Sequence, residues 1–192
     1  MSLVIAFIGM QGAVMAGDMR EIITCGDKVS TETLEQELYS GQIVTDDALK
    51  KRAEALGISL TIHDDKRKVT RRDDILVGEV SETDGGIRKK RRLYATAGEF
   101  ALAEIADADL RLTKKGTASN FVVLGNQITK QITHSCIREH WKNGSMHDAI
   151  RILMLSMERA SKATASVSGL YTLIHTPAKG SLSALIERDS RQ

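Results

Sequence analysis

The feature that most constrains this chain lies at its N-terminus. Leu3 to Ile8 is a nearly uninterrupted apolar run that starts two residues from the chain end. Such a run, without polar alternation, suits a strand buried on both faces. Gly9-Met10-Gln11-Gly12 follows as a turn, because glycine accepts the positive φ of hairpin loops. Ala13-Val14-Met15-Ala16 returns as a second strand and ends at Gly17-Asp18. Chain termini ordinarily fray, so something must hold this hairpin in the core.

The remaining pattern predicts a mixed α+β fold. A helical pair spans 31–57, capped by Thr31 and by Thr45-Asp46-Asp47, and it reads as a charged surface insert. Strands are predicted at 58–62, 75–80, 93–98, 100–105, 121–125 and 170–175, with a charged connection from His63 to Asp74 and a glycine-containing loop at 81–87. Two helices fill 126–160. Ile128, Ile132 and Cys136 line the first, and Ala149, Ile150, Leu153, Met154, Met157 and Ala160 line the second. Asn143-Gly144 separates them.

At 192 residues, with 42% hydrophobic and 27% charged side chains, the chain has the balance of one soluble globular domain. A net charge of +2 is too near zero to point to nucleic acid or to a membrane surface. The basic run Arg88–Arg92 is better read as a solvated, self-repelling loop or strand edge, and aromatics at 4% offer few stacking platforms. Cys25 and Cys136 are too few for a disulfide framework, and the five histidines show no ligand spacing. The chain therefore predicts a cytoplasmic protein without metal or cofactor. No apolar stretch nears the ~20 residues of a membrane helix, and the start lacks the basic leader of a signal peptide.

Ser2 carries the chemistry. Methionine aminopeptidases remove Met1 when the next side chain is small, leaving a serine whose hydroxyl and α-amine share one residue. An α-amine has an ordinary pKa of about 7.7–8.0, so it can act as general base for its own hydroxyl. Many proteins that begin Met-Ser are not nucleophiles, but few anchor that serine to a buried hairpin. Asp18, at the end of the neighbouring strand, could hold a lysine near the hydroxyl; its plainer role is a strand-end turn cap.

Ser2 to Gly9, followed by Gly12-Ala13-Val14-Met15-Ala16-Gly17-Asp18-Met19-Arg20, resembles the start of a mature proteasome β subunit, where the nucleophile opens the first strand and an Ala/Gly-Asp-x-Arg signature closes the second. Lys68 to Gly78 is similar to the segment carrying the catalytic lysine, and Ser166-Val167-Ser168-Gly169 to the serine-glycine turn beside the nucleophile. More closely, Glu37 to Gly41, Leu76 to Val80 and Lys90 to Tyr94 resemble an archaeal, methanogen-associated family related to proteasome β subunits, whose characterised branch is connectase, a sequence-specific protein ligase.

The resemblance implies the four-layer α/β/β/α sandwich of N-terminal-nucleophile (Ntn) hydrolases, with one helical layer reduced. It implies a domain over 1–178 containing the insert, then a tail at 179–192 that could begin a further C-terminal domain. Ser2 would be the nucleophile, Asp18 would orient Lys68, and Lys28 is the alternative lysine. Ser168 and Ser166 would bond the α-amine region, and Asn126 falls where the proteasome has a serine beside the nucleophile. The proteasome acid three residues before the serine-glycine turn is Ala165 here, so either Ser166 substitutes for it or the amine network differs. Between Val80 and Leu93 there is no room for the helices that stack proteasome rings, which implies a monomer or small oligomer. The implied function is protein ligation, or transpeptidation, through a Ser2 ester. The implied partner is a protein or peptide substrate, in the family a Lys-Asp-Pro-Gly-Ala-like motif of a methanogenesis methyltransferase subunit. A plain Ntn amidohydrolase or peptidase, and a silent proteasome-like interaction module, are the alternatives.

Overall fold

In a computed structural model, the described residues are 3–84, 87–106, 109–117, 119–142 and 144–191. Met1, the expected nucleophile Ser2, part of the expected 81–87 loop (Gly85 and Gly86) and the expected helix stop Asn143 lie outside them. The chain begins with β1 (Val4–Gly9) and β2 (Gly12–Asp18), followed by β3 (Glu21–Cys25), α1 (Lys28–Tyr39), α2 (Asp46–Ala55) and β4 (Ser59–His63). Next come β5 (Val69–Arg72), β6 (Ile75–Asp84), β7 (Ile87–Thr96), β8 (Glu99–Ala106), β9 (Asp109–Thr117) and β10 (Asn120–Leu124). Helices α3 (Gln127–His140) and α4 (Met146–Ala163), strand β11 (Tyr171–Thr176) and helix α5 (Leu182–Asp189) complete it.

The hairpin is in the core because it occupies the two central positions of an antiparallel sheet ordered β10-β1-β2-β11. Every residue of β1 and β2 is buried. Its turn needs glycine: Gly12 sits at φ 156°, and a Cβ there would lie 2.7 Å from the carbonyl oxygen of Thr176. One face of the hairpin, Leu3, Ile5, Phe7, Val14 and Ala16, packs on Ala149, Leu153, Met157 and Ala160 of α4. The other face, Val4, Ala6, Ile8, Ala13 and Met15, packs on a second sheet through Val69, Leu76, Val80, Leu93, Ala95 and Phe100. Full burial of each such aliphatic side chain contributes about 1.5–3 kcal/mol.

The second sheet is ordered β5-β6-β7-β8-β9. Its outer face, Ile75, Val77, Tyr94, Ala101 and Ala103, is covered by Leu182 and Leu185 of α5. The layers are therefore α3 and α4, sheet, sheet, and the single short helix α5, which is the α/β/β/α sandwich with one reduced helical layer. The sheets approach closely where glycine permits it. A Cβ on Gly17 would meet Val69 Cγ2 at 2.5 Å, and one on Gly78 would meet Met15 Sδ and Val4 Cγ1 at 2.7 Å.

Several elements differ from the sequence reading. The insert is bracketed by a β3-β4 ribbon. Helix α1 starts at Lys28, where the Asp27 side chain accepts from the Ser30 amide, ahead of the expected Thr31. The insert has its own core of Leu34, Leu38, Ile43, Leu49, Ala53 and Ile58, which also takes in Ala165. The charged stretch 63–74 contains β5, and the expected 81–87 loop is mostly the ends of β6 and β7, paired from Leu76↔Ala95 to Asp84↔Ile87. The basic run lies in β7 and is not self-repelling: Lys90 pairs with Glu79, Arg91 with Glu104, and Arg92 with Glu79 and Asp189. The stretch 179–192, expected as a tail, carries α5. On α4, Ile152 and Ser156 join the buried face, whereas Met154 is 48% exposed. None of the helices among the described residues is long and apolar enough to cross a membrane.

Candidate active site

Asp18 is the last residue of β2 and lies opposite Tyr171 of β11. It closes the open end of the hairpin: its amide donates to the Leu3 carbonyl at 3.1 Å, and its Oδ1 accepts the Leu3 amide at 2.7 Å. Its Oδ2 accepts from the Arg20 amide at 2.9 Å and from Lys68 Nζ at 2.6 Å. The side chain is fully buried. A carboxylate with four lone-pair sites and three converging donors is well satisfied there.

Lys68 immediately precedes β5. The strand enters beside the 19–20 segment, where the Lys66 amide donates to the Met19 carbonyl. Two of the three ammonium donors are used, one on Asp18 Oδ2 and one on the Arg20 carbonyl at 2.5 Å. The third has no partner among the described residues. Burial pushes the Lys68 ammonium below its ordinary pKa, and the charge of Asp18 opposes that shift. The alternative lysine, Lys28, is elsewhere. It is 72% exposed on the first turn of α1 and pairs with Glu32 at 3.8 Å.

The expected serine loop links α4 to β11. Ser166 Oγ accepts from Asn126 Nδ2 at 3.1 Å and shares a 3.0 Å hydrogen bond with Thr164 Oγ1. Asn126 caps α3, its Oδ1 accepting from the Thr129 amide. Ser168 Oγ accepts from the Leu170 amide at 2.9 Å, and the Leu170 carbonyl accepts from the Met19 amide one residue beyond Asp18. Ser166, Ser168 and Asn126 are all buried. Two local groups thus take shape: Asp18 with Lys68, and Asn126 with Ser166. Ser168 lies in the loop that joins them. Ser2 is outside the described residues, but it is covalently bonded to the Leu3 nitrogen that donates to Asp18.

Sequence reasoning missed Arg20, Asp46, Asp64 and Thr164. Arg20 was visible only as the closing residue of the Gly17-Asp18-Met19-Arg20 signature. It is 8% exposed, and its guanidinium binds Asp46, Asp64 and the Ala165 carbonyl. Asp64 is held below its ordinary pKa, first by the hydrogen bond from Arg20. Among the described residues, no cluster of His, Cys, Asp and Glu could hold a metal ion. The polar groups brought together here are a buried ammonium, hydroxyls and backbone amides.

A family model described as Connectase MJ0548-like, N-terminal domain, matches residues 1–191. No curated protein matches the chain. Among solved structures, the chain is similar to eukaryotic HslV from Trypanosoma brucei, at 12% identity and TM-score 0.48, over 90% of this chain and 98% of that one. It is also similar to a mutant of Anbu from Hyphomicrobium sp. strain MC1, at 13% identity and TM-score 0.39, over 90% of this chain and 81% of that one.

Proposed function

The chain belongs to the connectase family, and from that premise we propose that it performs N-terminal-nucleophile acyl transfer on a peptide bond, with protein ligation as its productive outcome. The observation that carries the reading is the double hold on Asp18. One oxygen takes the Leu3 amide and the other takes Lys68, which bonds only Asp18 and the Arg20 carbonyl among the described residues, so the backbone at residue 3 is held to the same carboxylate as a buried cation.

Removal of Met1 frees the Ser2 α-amine. That amine takes the Oγ proton as Oγ attacks the carbonyl carbon of the scissile bond. The Lys68 ammonium stabilises the developing negative charge and keeps the hydroxyl acidic. The proton then passes from the α-amine to the leaving nitrogen, the C–N bond breaks, and an ester forms on Ser2. An incoming amine attacks the ester, giving a new peptide bond and restoring the Ser2 hydroxyl. Water in place of the amine gives hydrolysis. Ser166 and Asn126 fix the loop that bears Ser168 against this centre. The substrate is a protein or peptide segment, and no cofactor takes part.

Intact mass spectrometry tests this directly. Protein expressed from the full sequence should lack Met1. With candidate peptides it should gain an acyl adduct that Ser2→Ala cannot form. Added amine-bearing peptide should yield a joined product in preference to a cut one. Activity retained by Ser2→Ala, or retention of Met1 in protein that is still active, refutes the assignment. Cutting without joining leaves the amidohydrolase alternative.

A further inference from the structure

We propose that the helical insert is a working part of the site, and that Asp46, at the start of α2, is a positioning residue that acts through Arg20 on the loop carrying Ser166 and Ser168. The inference rests on the acyl-transfer reading for its catalytic consequence only; the mechanical coupling stands on geometry alone.

The guanidinium of Arg20 has five N–H donors, and each is used. Nε donates to Asp64 Oδ1 at 2.9 Å and Nη2 to Asp64 Oδ2 at 3.0 Å. Nη1 donates to Asp46 Oδ1 at 2.5 Å and Nη2 to Asp46 Oδ2 at 3.1 Å. The remaining Nη1 donor reaches the Ala165 carbonyl at 2.8 Å. Two bidentate carboxylate pairs and one carbonyl hold the fork in a single orientation. The three partners come from separate elements: the first turn of α2, the link between β4 and β5, and the loop after α4. The main chain of the same residue completes the Asp18–Lys68 pair, its amide donating to Asp18 and its carbonyl accepting from Lys68.

Two further bonds run from the insert to the same loop. The Ala165 amide donates to the Ile43 carbonyl at 3.0 Å, and Thr164 Oγ1 donates to the Leu38 carbonyl at 3.1 Å. The Thr164 hydroxyl is also the one that meets Ser166 Oγ. Ala165 itself is packed in the insert's own core, beside Leu34, Leu38 and Ile43. A segment that only decorated the surface would not hold the stretch that leads directly into the loop bearing Ser166 and Ser168. The insert does so at 164 and 165, one residue before Ser166.

Asp47 provides the control. It shares the first turn of α2 with Asp46, is exposed, and complements the same helix dipole without reaching Arg20. The experiment compares Asp46→Ala, Asp46→Asn and Asp47→Ala in the full chain by amide hydrogen exchange and by acyl-transfer kinetics. Asp46→Ala removes both hydrogen bonds from Arg20 to a carboxylate that is 45% exposed, and should speed exchange of the 165–170 amides roughly tenfold. Exchange in β6 to β8 should be unchanged. The kcat of adduct formation should fall about tenfold with little change in KM, as misplacement of reacting groups requires. Asp46→Asn, which keeps one acceptor, should recover part of both effects, and Asp47→Ala should show neither. Faster exchange confined to the insert, with 165–170 unmoved, overturns the proposal, as does an equal effect from Asp47→Ala. If wild-type protein forms no adduct on Ser2, the acyl-transfer reading fails by itself, and the exchange data still decide whether the insert governs the loop.

Discussion

Replacing Asp18 by Asn is the sharpest single perturbation of the site. Asp18 accepts three hydrogen bonds, from Leu3 N, Arg20 N and Lys68 Nζ, and donates none through its side chain. Asparagine has the same shape but one acceptor oxygen, so in either orientation its NH2 faces a donor. The variant also leaves Lys68 buried and without its counter-charge. Breaking one side of a buried ion pair costs about 3–5 kcal/mol. For a domain of this size each kcal/mol lowers Tm by about 2–4 °C, so the drop should be about 6–20 °C. Urea unfolding at neutral pH, with the m-value held constant, measures the loss. Adding Lys68→Met removes the stranded ammonium, so the double variant should regain about 2 kcal/mol and the cycle should show strong coupling. A cost under about 1 kcal/mol for Asp18→Asn, with additive effects in the double variant, would falsify the claim that these groups form a desolvated pair. Asp18→Asn, Lys68→Met and the double variant should all fail to form the Ser2 adduct, so stability separates them where activity cannot.

Other consequences are equally concrete. The carboxylate side chain of Asp189 on α5 is 3% exposed and accepts from Arg72, Arg92 and Tyr94. Asp189→Ala should cost about 2–4 kcal/mol and make the 179–191 segment the first site of limited proteolysis. Burial pushes the Tyr94 phenol up to about 12. Ultraviolet titration should show a phenol ionising near that pH, and Tyr94→Phe should remove that step. Because the folded state holds this proton more tightly than the unfolded state, the contribution to stability is complete below about pH 10 and is lost as pH rises through about 12. Gly78→Ala places a methyl 2.7 Å from Met15 and Val4, so it should cost about 1–3 kcal/mol by chemical denaturation. An unchanged midpoint would mean that the two sheets can move apart freely.

The legible and illegible parts of the fold divide by where the stabilisation comes from. The β1-β2 hairpin was visible because its own side chains are the core. Strands β5 and β9 were not. Only Val69 of β5 is buried and β9 is nearly all exposed, so backbone pairing with β6 and β8 holds them and leaves little trace in side-chain period. The apolar residues of α3 pointed to Ile128, Ile132 and Cys136; Cys136 is buried as expected, but its companions on the buried stripe are Thr129 and Thr133. Those threonines can be buried because their hydroxyls donate to the carbonyls of Asn126 and Thr129 on the same helix. At the site, Asp18 and Lys68 were named through segments that resemble a known family; by charge alone, Lys68 was one cation in a charged stretch. Asp46 looked like an acidic cap of α2, and Asp64 like one more solvated charge. Their meeting on Arg20 joins residues far apart in the chain, and no local spacing encodes it.

The placement of the hairpin between β10 and β11 has a temporal consequence. Its neighbours are residues 120–124 and 171–176, so the first strands synthesised wait for some of the last. At about 5–20 residues per second, the two outer edges of the hairpin stay unpaired for several seconds at least. On the proposed acyl-transfer reading, that delay gives an aminopeptidase time to reach Met1 before the sheet closes around the hairpin.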